Sequence, residues 1–324
     1  MLSGTLFALA AGLMWGLVFV VPLLLPEYPP ALLSVARYLA FGLIALPLAW
    51  LDRKRLRGLT RADWSEAAKL ALVGNLLYYL CLAAAIQRAG GPLPTMIIGT
   101  LPVVIAITSN LRDARGDGHL PWRRLAPSLL LIAAGIALVN DAELELLRQE
   151  PSIDARRYAL GALLAIGALA CWTWYPIRNA DWLREHPERS PRVWATAQGV
   201  ATLPLAAVGL AGVSAWFAAT GSDFDLPLGP TPQRFVLLML VIGLFASWLG
   251  TLCWNEASQR LPTALAGQLI VFETAAALAY AFALRGSVPP ATTLAGIALL
   301  VAGVLWALRV RPEPPTEAGA GAPH

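Results

Sequence analysis

Inside long apolar stretches, this chain keeps a small set of rings, amides and charges. The segment "NLLYYLCL" carries Asn75, Tyr78, Tyr79 and Leu82, spaced so that an α-helix puts them on one face. Trp172, Tyr175 and Asn179 share a face by the same spacing, as do Trp248, Thr251 and Asn255. Gln268 and Glu273 sit in a later apolar stretch, Arg37 in an earlier one, and Trp15 deep in the first. Rings that stack and amides that bond suit a ligand with a flat apolar part and a polar end. A charged side chain at the centre of a membrane helix costs about 2.5–3.5 kcal/mol on the insertion scale, so those that persist are candidates for a role.

Each candidate has a plainer reading beside the functional one. Trp and Tyr favour membrane interfaces, and by depth Trp50, Trp64, Trp216 and Trp306 fit such a belt. Trp15, Trp172 and Trp248 lie deeper and either line a cavity or pack between helices. Glu273 admits three roles: a proton-coupling carboxylate, a partner for a substrate ammonium, or a neutral acid hydrogen-bonded between helices. Arg37 either snorkels to the interface, attracts a carboxylate, or pairs with an acid.

Other chemistries lack their residues. Cys81, Cys171 and Cys253 fall inside apolar blocks without metal or disulfide spacing. His119, His186 and His324 fall in loops or the tail, away from any intramembrane relay. No P-loop is present, so ATP-driven transport would need a partner. Glu143, Glu145 and Asp154 are scattered in a loop and read as solvated surface rather than the clustered acids of an integral-membrane enzyme. No cofactor and no metal are expected.

The elements that must position these residues follow from composition. Of the residues, 57% are hydrophobic and 14% charged, against about 25% charged in a soluble domain. Apolar blocks of about 20 residues match the thickness of a bilayer core. The pattern predicts an all-α integral membrane protein with ten transmembrane helices, over residues 3–24, 30–51, 64–87, 94–111, 124–140, 158–178, 191–218, 234–257, 262–284 and 290–309. The first block has no basic n-region and no small-residue cleavage site, so it counts as a span.

Orientation follows from the basic residues. Arg53, Lys54, Arg55, Arg57 and Arg61 share one side with Arg112, Arg115, Arg123, Arg124, Arg178, Arg184, Arg189, Arg192, Arg260, Arg309 and Arg311. The acidic stretches "DAELELLRQEPSID" and "SDFD" fall on the other. Both termini are expected in the cytoplasm, and the net charge of +4 is a topology signal rather than a nucleic-acid footprint. Residues 311–324, rich in Pro, Gly and Ala, predict a disordered cytoplasmic tail.

The chain also repeats itself. "LCLAAAIQR", from Leu80, is answered by "LCWNEASQR", from Leu252, and each is followed by Leu-Pro-Thr, the first after an inserted "AGGP". "GTLFALAAGLMWG" and "GALLAIGALACWT" place Trp15 and Trp172 alike, and "AAGIALV" echoes "VAGVLWA". Residues 1–140 therefore predict one five-helix repeat and residues 158–310 a second, joined by a periplasmic connection over 141–157. Five is odd, so the second repeat enters the membrane inverted, an architecture of secondary transporters that rock about a midplane site. Gly99 and Pro102 mark a hinge, because Pro102 cannot donate to the carbonyl of Ile98. Gly267, which the repeat matches to Gly99, is expected as a further hinge, permitting close packing or a bend, but Ile270 replaces the proline.

The span count, the paired modules, the Trp in each first helix and the "QR…LPT" junction resemble the drug/metabolite transporter superfamily, in its EamA-type members. The branch most similar is the YddG type of aromatic and neutral amino-acid exporters. The resemblance implies a carrier that exports small metabolites, above all aromatic or neutral amino acids, across a bacterial inner membrane by alternating access. Its partners would be the lipid bilayer and the amino-acid substrate, with no nucleic acid, and a monomer could close its own cavity. The alternative is a multidrug or cation efflux carrier. The small relatives of that kind use a carboxylate in the first helix, where this chain has Leu13, Met14 and Trp15.

Overall fold

The computed structural model describes residues 2–90, 92–111, 122–148, 155–221, 223–286, 288–307 and 309. The described residues form an all-helical fold. Besides a single turn at Arg53–Leu56, the helices in chain order are α1 (Leu2–Leu24), α2 (Pro30–Leu51), α3 (Arg61–Ala89), α4a (Pro92–Gly99), α4b (Leu101–Leu111), α5 (Trp122–Arg148), α6 (Ala155–Glu185), α7 (Pro191–Thr220), α8 (Pro232–Arg260), α9a (Thr263–Leu269), α9b (Val271–Arg285) and α10 (Ala291–Ala307). Among the described residues, seven helices are long and apolar enough to cross a membrane, and the stretches Leu93–Ile105 and Ala291–Gly303 are shorter apolar helices.

Local chemistry sets several ends. Pro30, Pro191 and Pro232 open their helices at positions where a missing N–H costs nothing. Thr60 and Asp63 form a capping box at the start of α3: Asp63 N donates to Thr60 Oγ1 at 3.2 Å, and Thr60 N to Asp63 Oδ2 at 2.8 Å. The connection expected over 141–157 is shorter, because α5 runs to Arg148 and α6 begins at Ala155. What remains of it, residues 149–154, lies outside the described residues, as do Arg112, Arg115, His119 and the tail from 310 onward.

Two features were not legible beforehand. In α3 the segment Leu70–Leu77 is π-helical, and in α8 so is Ile242–Leu249. Each precedes its copy of the repeated Leu-Cys string by the same interval. A π turn takes more residues than an α turn, so it rotates everything after it relative to everything before.

The helix breaks also come in a pair. α4 is interrupted at Thr100, whose hydroxyl donates to the Ile97 carbonyl at 2.7 Å, two residues before Pro102. α9 is interrupted at Ile270, with Glu273 N bonded to Ile270 O at 2.8 Å. Gly267 provides close packing there: a Cβ on it would lie 2.4 Å from Ile105 Cγ2. Gly99 has ordinary room, 3.7 Å to its nearest neighbour, so its contribution is to the bend rather than to contact.

Helix contacts recur between the halves. α3 packs on α6, and α8 on α1; both parts of α4 pack on α6, and both parts of α9 on α1. α2 packs on α7, α5 on α10, and α4b on α9a. Small residues allow the closest approaches, as in membrane bundles. Gly42 of α2 faces Leu203 of α7, while Gly199 of α7 faces Ala45 and Phe41 of α2. Gly135 of α5 faces α10, and Gly303 of α10 faces α5.

Candidate binding site

Two of the deep tryptophans, Trp15 and Trp172, meet other rings where α1, α3, α6 and α8 converge. Tyr78 stacks on Trp172, with centroids 4.5 Å apart, and Trp172 stacks on Tyr175 at 5.1 Å. Trp15 meets the edge of Trp172 at 4.9 Å and leans on Trp254 at 5.3 Å. All five are buried. Glycine makes room at two points. A Cβ on Gly74 would lie 2.1 Å from the Tyr175 ring, and one on Gly250 would lie 2.7 Å from Trp15 Nε1.

The repeat register gives this cluster an order. Tyr78 of the first half stands where the second has Gly250, and Leu82 where it has Trp254. Trp172 therefore seats on Tyr78, while Trp15 seats on Gly250 and Trp254. The two tryptophans occupy matching places against unlike surfaces.

Two charges flank the rings. Glu273 is 1% exposed and accepts a hydrogen bond from Trp172 Nε1 at 3.3 Å. It is the third residue of α9b, so the partial positive charge of a helix start faces it. Arg37 is 3% exposed. Its Nε donates to Ser247 Oγ at 3.1 Å and its Nη2 to the Ala246 carbonyl at 3.4 Å. Its guanidinium also lies over the rings of Tyr79, at 4.5 Å, and Tyr38, at 4.8 Å, an attraction of about 0.5–2 kcal/mol each when desolvated. Snorkelling to the interface is thus replaced by inward anchoring.

Four buried polar atoms of this group have no hydrogen-bond partner in the chain: Arg37 Nη1, Glu273 Oε1, Tyr79 OH and Trp254 Nε1, while the Tyr78 hydroxyl is directed at the Glu273 carboxylate. Each such atom costs about 1–3 kcal/mol if nothing answers it.

The other expected residues lie in separate settings. Asn75 is buried and faces Thr202 of α7, 3.5 Å away. Leu82 is fully buried. The single face expected for Asn75, Tyr78, Tyr79 and Leu82 is split: Asn75 turns to α7, Tyr78 to α6 and Tyr79 to α2. The physical reason is the π segment that ends at Leu77. Trp248 lies inside the other π segment and directs its indole to Thr196 Oγ1 at 3.3 Å, outside the stacked rings. Trp254 takes the place beside Trp15 instead.

Asn255 belongs to a polar relay between α6, α7 and α8. Tyr175 donates to Gln198 at 2.9 Å, Gln198 to Asn179 at 3.0 Å, and Asn179 to Asn255 at 2.9 Å. Gln268 is apart from the rings, accepting from Ser128 Oγ of α5 at 2.7 Å. Trp254, Ser247, Gln198 and Tyr38 were missed by sequence reasoning. Trp254 had a usable signal, since the repeat aligns it with Leu82.

Both ends of the bundle are fastened across the halves. At one, Arg178 of α6 pairs with Glu66 of α3 at 2.5 Å, and Arg189 and His186 approach Asp63 at 3.8 and 3.9 Å. At the other, Tyr28 donates to the Leu228 carbonyl at 2.7 Å and accepts from Thr231 N at 2.9 Å. A lateral cleft of about 530 Å³ between α4b and α6 is lined by Val104, Leu169, Trp174 and their neighbours, and no residue of the ring cluster lines it. Among the described residues no group of three His, Cys, Asp or Glu side chains could hold a metal ion.

Comparison with known proteins adds identity to this geometry. Residues 2–140 match the EamA-like transporter family. The chain is 55% identical over 315 residues to the inner membrane protein YtfF of Escherichia coli strain K12, covering 97% of this chain and 98% of that one. One crystal structure shares the fold at a TM-score of 0.68 and 18% identity, over 94% of this chain and 97% of that protein.

Proposed function

This chain belongs to the EamA-like transporter family, and on that premise we propose that it exports small metabolites, chiefly aromatic or neutral amino acids, by alternating access. It is a membrane transporter rather than an enzyme. The observation that carries the substrate class is the buried stack of Tyr78, Trp172 and Tyr175, with Glu273 bonded to Trp172 and Arg37 over the ring of the adjoining Tyr79. A flat side chain can replace one ring contact at little cost, while polar groups hold the other end.

The alternating-access reading rests on the recurrence of contacts between the halves. The main pairings of helices have counterparts when the first five spans exchange with the last five. A bundle of ten spans in two inverted repeats, 1–140 and 158–310, can then build an outward-open and an inward-open state from the same parts. The Glu66–Arg178 pair and the Tyr28 bonds would open in turn. We place both termini in the cytoplasm, following the basic residues.

Glu273 gives the cation-efflux reading its one support, since a buried carboxylate also suits an organic cation. The two readings part in cells that overproduce the protein. Export of amino acids predicts growth in toxic 5-fluorotryptophan with unchanged sensitivity to ethidium. Resistance to ethidium alone would favour the cation carrier, and resistance to neither would remove both.

A further inference from the structure

We propose that Arg37 and Glu273 form the two poles of a clamp for the head group of a zwitterion. Arg37 and Tyr79 take the carboxylate, Glu273 and Tyr78 take the ammonium, and the side chain lies against Trp172. The proposal rests on the amino-acid reading above and goes beyond it by naming what the site recognises: both charges of an α-amino acid together.

The unanswered atoms carry the argument. Buried polar groups are nearly always hydrogen-bonded, yet Arg37 Nη1, Glu273 Oε1 and Tyr79 OH are not. All three belong to one neighbourhood. Tyr78 and Tyr79 are consecutive; Tyr78 stacks on Trp172, which bonds Glu273, and Tyr79 lies beneath the Arg37 guanidinium. Glu273 lies within electrostatic reach of Arg37 and beside the Tyr78 hydroxyl, and Tyr78 lies within reach of both charges. They do not join in an ion pair. Arg37 is instead held back by Ser247, Ala246 and two rings, and Glu273 by Trp172.

That arrangement is ill suited to a structural salt bridge, which gains from contact. It suits a ligand that brings the opposite charge to each pole. The donors match as well: a guanidinium and a hydroxyl offer N–H and O–H to a carboxylate, and a carboxylate and a hydroxyl oxygen accept from an ammonium.

The test is calorimetric binding of tryptophan, tryptamine and indole-3-propionate, with phenylalanine and alanine beside them, to the purified full-length carrier. Tryptamine lacks the carboxylate and indole-3-propionate the ammonium. The wild type is expected to bind tryptophan at least about tenfold more tightly than either, since a charged hydrogen bond is lost in each case. Arg37→Gln should lower tryptophan to the level of tryptamine and leave tryptamine unchanged. Glu273→Gln should lower tryptophan to the level of indole-3-propionate and leave that ligand unchanged. Tyr79→Phe keeps the ring and should weaken tryptophan without affecting tryptamine, which carries the test if either charge variant fails to fold. Equal binding of the three indoles by the wild type, or an equal loss of all three in the variants, overturns the clamp and leaves the amino-acid reading intact. If tryptophan, phenylalanine and alanine all fail to bind the wild type, the amino-acid reading falls and the clamp with it.

Discussion

The indole N–H of Trp172 reaches the carboxylate of Glu273 across 3.3 Å. That bond ties the middle of α6 to the point where α9 restarts after its break. It also joins the aromatic stack to the charged part of the site, so that a change at either residue is felt at both.

The first prediction concerns the rings. Tyr78→Ala and Trp172→Ala should each lower transport by about tenfold without lowering membrane abundance, since an aromatic pair contributes about 0.5–1.5 kcal/mol beyond its buried area. Trp216→Ala, on an exposed position, should leave transport unchanged. Quantitative blotting alongside uptake checks all three. Unchanged uptake in both ring variants would remove the assignment of the cluster to the substrate.

The second separates coupling from binding at Glu273. If the carboxylate carries protons, Glu273→Gln keeps exchange of substrate across the membrane and abolishes its response to an imposed pH gradient. If it holds the ammonium, exchange itself falls. Counterflow and gradient-driven uptake, measured on the same vesicles, distinguish the two, and a variant that retains both would show a purely structural carboxyl group.

A third prediction follows from the glycines. Gly74→Ala places a methyl group 2.1 Å from the rigid Tyr175 ring, so it should cost several times the about 1 kcal/mol typical of a point change. Gly212→Ala, in α7 with nothing within 4 Å, should be neutral or stabilising by about 0.5–1 kcal/mol. Melting temperatures in detergent would show the contrast, and equal effects would contradict the close approach of α3 to α6.

The fourth addresses the Glu66–Arg178 pair. Arg178 is 40% exposed, so the pair should contribute less than about 1 kcal/mol to stability. Its effect should appear in rates. Glu66→Gln and Arg178→Gln should each alter the balance of open states, and exchanging the two charges should restore it. Cysteine accessibility from either side of the membrane reports that balance; no change in accessibility would rule the pair out as a gate.

Much of the scaffold was legible because bilayer thickness and proline leave marks in sequence. The second helix runs Pro30–Leu51 as expected, and the bend before Pro102 is where a missing N–H must cause one. The π segments were not legible. "LALVGNLL" and "IGLFASWL" read as ordinary apolar helix, and nothing in residue type announces the wider turn. The face drawn through Asn75, Tyr78, Tyr79 and Leu82 therefore did not allow for the wider turn, which is why Tyr78 and Tyr79 were placed on a face with Asn75. The break in α9 falls at Ile270, three residues after the expected hinge Gly267, because a β-branched residue in an apolar run carries no breaker signal of its own. Arg37 and Glu273 were visible as costly charges, but only the folded chain shows that they share a neighbourhood without touching.

The central claim is that this carrier moves amino acids by itself. It is tested by uptake of labelled tryptophan, phenylalanine and alanine into liposomes containing only the purified protein, with and without a pH gradient. The account predicts saturable uptake of at least one aromatic amino acid, lost in Trp172→Ala. No uptake of any of the three, under either condition, from protein shown to be folded and inserted, would contradict it.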